Sequence, residues 1–346
     1  MIQRRDVFQA MADPTRRMII QKLSRGPQNL AGIIEDFGIS RQAIAKHIKV
    51  LNECGMVTVT PKGREQVCEV QLAQLDEVSA WVLLLSSCKM QILKNGYSEV
   101  NGIKMYYEIY GQGKPLVLIH GGGSTIETTF GRVIPMLAKR YKVIAMDLQA
   151  HGRTSDRDAP ESFEQDADDV VTLLKNLNIS KADFFGFSNG GTTAVQIALR
   201  HPEIVDKIIL GSALCKRNGV PEQFWDFMKQ ATLANMPEQL KEAYLRVSPN
   251  PKGLQVMHDK DAERMVNFSD IPDARIESIK APTLIILGDR DVIKPGHAIE
   301  LHRQIVNSSL TIIPGVHGEY IGEITTLKTN SKEADFVIPM ICHFLG

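Results

Sequence analysis

The stretch Gly186-Phe187-Ser188-Asn189-Gly190 has the pattern G-x-S-x-G, and it decides the fold of the larger part of the chain. An apolar run at residues 182–185 precedes it and predicts a buried strand, while residues 192–199 predict a helix. A serine at the tip of a tight strand-to-helix turn is the arrangement of a nucleophile elbow, because glycines on both sides let the backbone close up. The alternative is that these five residues form an ordinary Gly/Ser turn. We therefore predict that Ser188 is a catalytic nucleophile.

The chain has 346 residues, enough for about two domains, and its content of 43% hydrophobic and 23% charged residues is ordinary for a globular protein. The net charge is zero at pH 7, so the whole chain carries no electrostatic sign of a nucleic-acid or membrane partner. Residues 1–90 hold a small excess of Lys and Arg over Asp and Glu. This excess is compatible with a basic surface in the first part of the chain, but it is too small to predict one.

Cysteine usage and apolar runs predict the compartment. The five cysteines are scattered and form no C-x-x-C pair, which favours a reducing compartment and argues against a disulfide framework or a zinc site. The first residues lack the apolar core of a secretory signal, and no apolar run approaches the ~20 residues that span a bilayer. We expect a soluble, cytoplasmic protein with no membrane partner and no metal.

Strands and helices are predicted to alternate from residue 97 onward, which is typical of a mostly parallel, doubly wound α/β sheet with helices on both faces. The predicted strands are 97–100, 103–110, 115–120, 142–147, 183–187, 207–212, 283–288 and 309–314, and the predicted helices are 129–139, 163–177 and 192–200. Residues 216–273 interrupt the alternation and are predicted to form a helical cap. We expect two domains, a mainly α domain at residues 1–93 and an α/β domain at residues 97–346.

The first ninety residues predict a helix-turn-helix. Asp13 caps a helix that begins at Pro14, Asn29 caps a second helix over residues 30–37, and Ser40 caps a third over residues 41–52. Two short β-strands follow, residues 56–60 and 66–70, and form a hairpin, or wing, with cations at its tip. A helix of this kind enters the major groove of DNA while a wing reaches phosphates. The predicted DNA contacts are Ser40, Arg41, Gln42, Lys46, Lys62 and Arg64.

Residues 3–92 resemble the ArsR-type winged-helix repressors. The resemblance is carried by residues 12–17 (ADPTRR), 39–51 (ISRQAIAKHIKVL) and 54–57 (CGMV). It implies binding to double-stranded operator DNA as a homodimer, paired through the first helix and a last helix predicted at residues 72–93. Many members sense metals through cysteines before the recognition helix or Asp/His clusters on the last one, and residues 33–37 and 72–93 lack those patterns. A winged helix used only for protein contacts or dimerisation is the alternative.

Residues 97–346 resemble the α/β-hydrolase superfamily. The resemblance is carried by the Ser188 elbow and by four further phrases: 120–123 (HGGG), 147–155 (DLQAHGRTS), 288–291 (GDRD) and 314–318 (PGVHG). Ala150 stands where the family commonly has glycine. The superfamily places its catalytic residues in the order Ser, acid, His, which implies Ser188, Asp291 and His317. Asp289 is the alternative acid, and the other histidines are expected to bond backbone or to lie on the surface.

An oxyanion requires N–H donors that are already in place. Asn189 follows the nucleophile and supplies one, and we predict Gly122 as the second, with Gly121 and Gly123 as alternatives. The same glycine run could be a phosphate-binding loop, but it lacks the lysine of a P-loop and the spacing of a dinucleotide fingerprint. No cofactor is implied.

Together these observations predict a DNA-binding transcriptional regulator fused to a serine hydrolase that binds and cleaves a small ester, thioester or lactone. Two alternatives remain open: a regulator whose hydrolase fold is only a ligand receptor, and a hydrolase whose winged helix serves dimerisation.

Overall fold

The computed structural model describes residues 7–35, 37–63, 65–71, 92–328 and 331–346. The chain divides into two compact units, Met1–Lys89 and Met90–Gly346. Most of the helix predicted at residues 72–93 lies outside the described residues. Its last two residues, 92 and 93, are described and are not helical. A strand of the second unit begins at Lys94, three residues before the predicted beginning of that domain at 97.

The first unit contains the predicted helices and hairpin. Its elements are α1 (Val7–Met11), α2 (Pro14–Leu23), β1 (Gln28–Asn29), α3 (Leu30–Ile34), α4 (Arg41–Glu53), β2 (Val57–Lys62) and β3 (Glu65–Val70). The side chains of Asp13, Asn29 and Ser40 each accept a hydrogen bond from a backbone N–H in the first turn of α2, α3 and α4, which confirms the three predicted caps. Helix α3 is shorter than predicted, because it ends at Ile34 rather than at residue 37.

Strands β2 and β3 pair as an antiparallel hairpin, and β1 adds to the outside of β3. The core beneath them is built from the inward faces of α2, α3 and α4, where Ile19, Leu23, Ile33, Ile44 and Leu51 are at most 2% exposed. This buried stripe on α4 leaves its other faces to solvent.

The second unit is built on an eight-stranded sheet in the order β11-β10-β9-β8-β6-β7-β5-β4. Its strands are β4 (Lys94–Val100), β5 (Ile103–Tyr110), β6 (Lys114–Ile119), β7 (Tyr141–Met146), β8 (Ala182–Phe187), β9 (Val205–Gly211), β10 (Thr283–Gly288) and β11 (Ser308–Ile313). Strands β4 and β5 are antiparallel to their neighbours, and all the other pairs are parallel. The predicted mostly parallel sheet is therefore confirmed, and β8 lies near its centre.

Helices cover both faces of the sheet. They are α5 (Ile126–Phe130), α6 (Ile134–Leu137), α7 (Phe163–Asn176), α8 (Asn189–Arg200), α9 (Glu222–Lys229), α10 (Glu238–Val247), α11 (Gly253–Val266), α12 (Asp273–Glu277), α13 (Pro295–Gln304) and α14 (Glu333–Leu345). The single helix predicted at 129–139 is wrong, because two short helices, α5 and α6, occupy this region. Gly131 ends α5, and Pro135, which has no N–H to donate, lies in the first turn of α6.

Helices α9, α10 and α11 form the helical segment predicted as a cap. Its apolar residues pack on the α/β core, and Met257 is fully buried with Tyr244 and Leu254 around Ala150. Ala150 has a φ of +60°, a conformation that favours glycine. Its methyl group is nevertheless buried against the cap, which supplies a packing reason for alanine at this position. Among the described residues, every helix is too short or too polar to cross a bilayer.

Candidate active site

Ser188 lies at the carboxyl end of β8, directly before the first residue of α8. Its backbone adopts φ +54° and ψ −121°, a combination that non-glycine residues rarely adopt. The turn is tight enough that a Cβ on Gly186 would overlap the carbonyl group of Gly190. A Cβ on Gly190 would likewise overlap the carbonyl oxygens of Ile119 and His120. The two glycines of the motif are therefore required by the close approach of α8 to β8 and β6.

The side chains of Ser188, His317 and Asp291 are hydrogen-bonded in sequence. Ser188 Oγ lies 3.1 Å from His317 Nε2, and His317 Nδ1 lies 2.7 Å from Asp291 Oδ1. An N–H on Nδ1 that donates to the carboxylate leaves Nε2 with a lone pair directed at the serine hydroxyl. The structure thus brings Ser188 together with two residues that lie more than one hundred positions further along the chain.

Asp291 is fixed by more than the histidine. Its Oδ2 accepts a hydrogen bond from Ser212 Oγ at 2.6 Å, and its Oδ1 also accepts one from the N–H of Ile293 at 2.9 Å. Ser212 Oγ in turn lies 2.9 Å from the hydroxyl of the buried Tyr320. Burial alone would raise the pKa of Asp291, but His317 and these hydrogen bonds outweigh it and lower the pKa below its ordinary value. Sequence analysis missed Ser212 and Tyr320.

Asp289, the alternative acid, occupies a different position. Its Oδ1 accepts a hydrogen bond from the N–H of Gly315 at 2.9 Å, and about half of its side chain is exposed. The carboxylate therefore ties two loops together at the edge of the sheet. Asp291, whose side chain is fully buried, is the one that contacts His317.

The predicted oxyanion donors lie side by side next to Ser188. Asn189 is the first residue of α8, so its N–H belongs to the group that an α-helix leaves unsatisfied at its amino end. A Cβ on Gly122 would lie 2.5 Å from Asn189 Nδ2, which places the two residues in contact. The N–H of Gly121 donates to Thr129 Oγ1 at 3.3 Å, so this alternative already has an acceptor. At Gly123, a Cβ would meet Met236 and Leu240 of the cap.

Several other histidines bond backbone groups. His120 Nδ1 lies 2.8 Å from the carbonyl oxygen of Gly121, and its Nε2 accepts from the N–H of Leu148 at 3.0 Å. Burial lowers the pKa of His120 to about 3, so its imidazole is neutral near pH 7. His297 Nε2 accepts from the N–H of Cys215, and burial lowers its pKa to about 4. Both rings hold backbone groups in place, His120 as donor and acceptor and His297 as acceptor.

A buried cluster of charges lies beside Asn189 and Gly122, the predicted oxyanion donors, and sequence analysis missed it. Asp261, on α11 of the cap, accepts a hydrogen bond from Asn189 Nδ2 at 3.1 Å through its Oδ1. Arg264, one turn further along α11, pairs with Asp261 and with Asp166. A spacing of three positions along an amphipathic helix is the one sequence feature that links Asp261 to Arg264, and it is common on solvent-facing helices.

The candidate DNA contacts lie on α4 and on the hairpin of the first unit. Arg41, Gln42, Lys46 and Lys62 are exposed, as a DNA-binding role requires. Ser40 Oγ accepts from the N–H of Ala43 and so caps α4. Arg64 lies outside the described residues. Among the described residues, no group of three or more His, Cys, Asp and Glu side chains could hold a metal ion.

Two segments match known protein families. Residues 114–265 match the family described as alpha/beta hydrolase fold, and residues 13–59 match the family described as bacterial regulatory protein, arsR family. The two matches correspond to the two compact units and confirm both resemblances drawn from the sequence.

Individual proteins resemble a large part of the chain. The serine hydrolase BPHL of Homo sapiens is 29% identical over 239 residues, which cover 64% of this chain and 79% of that protein. The meta-cleavage product hydrolase from Pseudomonas fluorescens has the same fold, with a TM-score of 0.60 and 23% identity over 73% of this chain and 97% of its own. A structure described as an N-acyl homoserine lactone degrading enzyme has a TM-score of 0.55 and 26% identity over 70% of this chain and 99% of its own.

Proposed function

Because the chain joins an ArsR-family helix-turn-helix segment to an α/β-hydrolase domain, we propose that it is a DNA-binding transcriptional regulator whose second domain is a working serine hydrolase. The observation that carries the enzymatic half is the run of hydrogen bonds from Ser188 through His317 to Asp291. A domain that only bound a ligand would have no chemical need for these three side chains in this order.

In the proposed reaction, Ser188 Oγ attacks the carbonyl carbon of an ester while His317 Nε2 takes its proton. The negative charge that develops on the carbonyl oxygen is stabilised by the N–H groups of Asn189 and Gly122. His317 then gives its proton to the leaving alkoxide, which departs as an alcohol. A water molecule repeats the sequence on the acyl-enzyme and releases the acid. Asp291 orients the imidazole and stabilises its charged form.

We propose a small ester, thioester or lactone as the substrate. The similarity to a protein named as a serine hydrolase and to one described as degrading an acyl homoserine lactone supports this class. The cap favours a substrate with an apolar acyl group, because its residues Met236 and Leu240 lie against Gly123, next to the proposed oxyanion donor Gly122. Methionine is flexible and adapts to ligands of varied shape.

Hydrolysis of 4-nitrophenyl butanoate tests the enzymatic proposal. Ser188→Ala removes the nucleophile and leaves the oxyanion donors in place, so we expect kcat/KM to fall by at least about a thousandfold. Ser278→Ala, which removes a surface hydroxyl bonded only to its own helix, is the matched control and should keep full activity. Equal activity of the wild type and Ser188→Ala would refute the proposal.

DNA binding is tested with the segment upstream of the chain's own coding sequence, to which we expect the protein to bind as a homodimer. The double variant Arg41→Ala/Lys46→Ala removes two exposed cations from α4. Affinity should fall about tenfold or more, and the dependence of log affinity on log salt should become shallower by about two, because each phosphate contact releases counterions. Lys139→Ala/Arg140→Ala removes the same charge from the surface of the hydrolase unit and is the control. If both double variants bind DNA like the wild type, α4 is not the DNA-facing helix.

A further inference from the structure

We propose that the chain has a second small-molecule site, which binds an uncharged ligand that carries an amide group on an apolar ring. The site is a cavity of about 540 Å³ between α7, α8 and the end of α11. The described residues that line it include neither the hydrogen-bonded residues Ser188, Asp291 and His317 nor the predicted oxyanion donors. The proposal therefore goes beyond the proposed hydrolase function and does not depend on it.

One face of α8 forms a wall of this cavity. Four residues of the helix line it: Thr192, Gln196, Leu199 and Arg200. The last three lie four, seven and eight positions after Thr192, and this spacing places all four on the same face of an α-helix. Gln196 lies in the middle of that stripe, so its side chain is directed into the cavity.

The amide group of Gln196 has unused capacity for hydrogen bonds. The residue is 7% exposed, yet its side chain makes no hydrogen bond with any residue that the structure describes, whereas buried polar groups normally have a partner. The hydroxyl of Thr192, one turn earlier, already donates to the carbonyl oxygen of Leu214 at 2.8 Å. A primary amide offers both N–H donors and a carbonyl acceptor. A second amide, on the ligand, offers the matching acceptor and donor side by side.

Apolar side chains supply the surface for the rest of the ligand. The rings of Phe163 and Phe268 line the cavity with their centroids 6.0 Å apart, and both residues are at least nine-tenths buried. Leu199 and Ile271 extend the apolar lining. Small-molecule sites have volumes of about 300–1,000 Å³ and combine such a lining with a few polar groups that orient the ligand. This cavity meets both conditions.

The charges of the lining favour a ligand without charge. Its cations other than the exposed Arg275 are already paired with acidic side chains; they are Arg200, Lys260 and Arg264. Burial raises the pKa of Glu161 to about 7, so this carboxyl group is only partly ionised near neutral pH. The other acids of the lining are exposed to solvent; they are Glu164, Glu263 and Asp270. Neither an anion nor a cation therefore gains an unpaired, buried counter-charge here.

Binding of benzamide tests the proposal, because this molecule is an amide on a flat apolar ring. Acetophenone has nearly the same shape and the carbonyl acceptor but lacks the N–H donors. In saturation-transfer NMR titrations of the whole chain, the dissociation constant of benzamide should be about fivefold to tenfold lower than that of acetophenone, the range of one hydrogen bond. Gln196→Leu keeps the size of the side chain and removes its amide, so the ratio should fall to about one. Because the ratio is taken within one protein, it does not depend on the folded fraction.

Three further variants locate the binding. Gln223→Leu changes an exposed glutamine of α9 outside the cavity and should keep the ratio of the wild type. Leu199→Trp fills part of the cavity and should weaken both compounds by about tenfold or more. Ser188→Ala should bind both compounds like the wild type.

The proposal is overturned if the wild type does not bind benzamide at about 20 mM, a weak affinity for a molecule of this size. Equal affinity for the two compounds in the wild type would overturn it as well, and so would a preference for benzamide that persists in Gln196→Leu. A ratio that falls in Ser188→Ala and not in Gln196→Leu would place the amide at the catalytic serine instead. All these results are binding measurements, so the absence of ester hydrolysis would not affect them.

Discussion

At the scale of single residues, the site depends on one strained backbone. A residue held in the conformation of Ser188 costs about 1–3 kcal/mol, and the surrounding hydrogen bonds must compensate for it. Its N–H donates to the carbonyl oxygen of Gly211 at 2.8 Å, and its own carbonyl oxygen accepts from Gly191 and Thr192. These bonds fix both sides of the serine peptide to β9 and α8. The direction of the Ser188 side chain is therefore set by how β9 and α8 hold its backbone.

Ser212 is expected to matter through Asp291. Ser212→Ala removes a buried hydrogen bond to a carboxylate, so we expect the free energy of unfolding to fall by about 1.5–3 kcal/mol at pH 7 and kcat/KM to fall severalfold. The pKa of Asp291 is lower in the folded state than in the unfolded state, so the stability it contributes is present above its unfolded pKa of about 3.9 and is lost as pH falls through the folded pKa. The difference between variant and wild type should therefore narrow below pH ~4.

Thr193→Val is the matched control for this measurement. It removes a buried hydroxyl that has no hydrogen-bond partner in the described part of the chain, so stability should change by less than about 1 kcal/mol. A Ser212→Ala protein with the stability of the wild type at neutral pH would show that the hydrogen bond to Asp291 contributes nothing.

Sequence patterns identify residues that lie in motifs and miss those that act only through contacts in space. Ser188, Asp291 and His317 each belong to a recognisable phrase, and the structure places them in contact. Ser212 follows β9 with no motif around it, and Asp261 lies on an amphipathic cap helix where acidic residues are normally exposed. Their roles follow from which loops meet at the edge of the sheet, and no spacing along the chain contains that information.

At the scale of secondary-structure elements, the critical packing is that of α8 on β8 and β6. The axis of α8 comes so close to the two strands that Gly190 faces backbone carbonyl groups instead of side chains. Backbone cannot rotate away as a side chain can, so any Cβ at this position moves the whole helix. Movement of α8 also moves Asn189, its first residue and a proposed oxyanion donor.

Gly190→Ala should accordingly disrupt both stability and activity. We expect the free energy of unfolding of the hydrolase unit to fall by about 1–3 kcal/mol or more, because the added methyl overlaps the carbonyl groups of Ile119 and His120. Gly296→Ala, at a helical glycine with open space around it, should be neutral or stabilising by up to about 1 kcal/mol. Thermal denaturation of both variants checks the pair. Equal melting temperatures would contradict the close packing described for Gly190.

Strands were easier to predict than helices. Apolar, β-branched runs placed β6 to β11 within one or two residues of their observed limits, because all of these strands except the edge strand β11 are largely buried on both faces. The region at 129–139 failed because its apolar spacing fits one helix, whereas Gly131 and Pro135 divide it into two. The cap was predicted only as a helical segment. The contact of its apolar side chains with Ala150 cannot be predicted from the spacing of apolar residues in the sequence.

At the scale of the whole molecule, one chain carries a candidate DNA-binding helix-turn-helix and a candidate ester-cleaving site in separate compact units. If the two are energetically linked, a ligand at Ser188 must change the affinity for operator DNA, and DNA must change the affinity for the ligand by the same factor. Hydrolysis would then end the signal by destroying the ligand.

The Ser188→Ala protein allows this linkage to be measured, because it can hold an ester without cleaving it. We expect a saturating ester to change the dissociation constant of the upstream DNA segment by about fivefold or more, in the usual range of allosteric coupling. The same titration with the ester pre-hydrolysed by alkali is the control. An unchanged dissociation constant would mean that the two units act independently on one chain.

The position of His317 has a consequence for the order in which the protein is made. Ser188 is translated well before Asp291, and His317 follows the last strand of the sheet. Domains fold as units while the chain emerges, the N-terminal one first. The helix-turn-helix can therefore be complete on the ribosome while Ser188, the proposed nucleophile, still lacks His317, its proposed base. A nonsense mutation between residues 292 and 316 would remove His317 together with α14, whose buried face belongs to the core of the second unit. Such an allele would test genetically whether the first unit binds DNA without the proposed catalytic site.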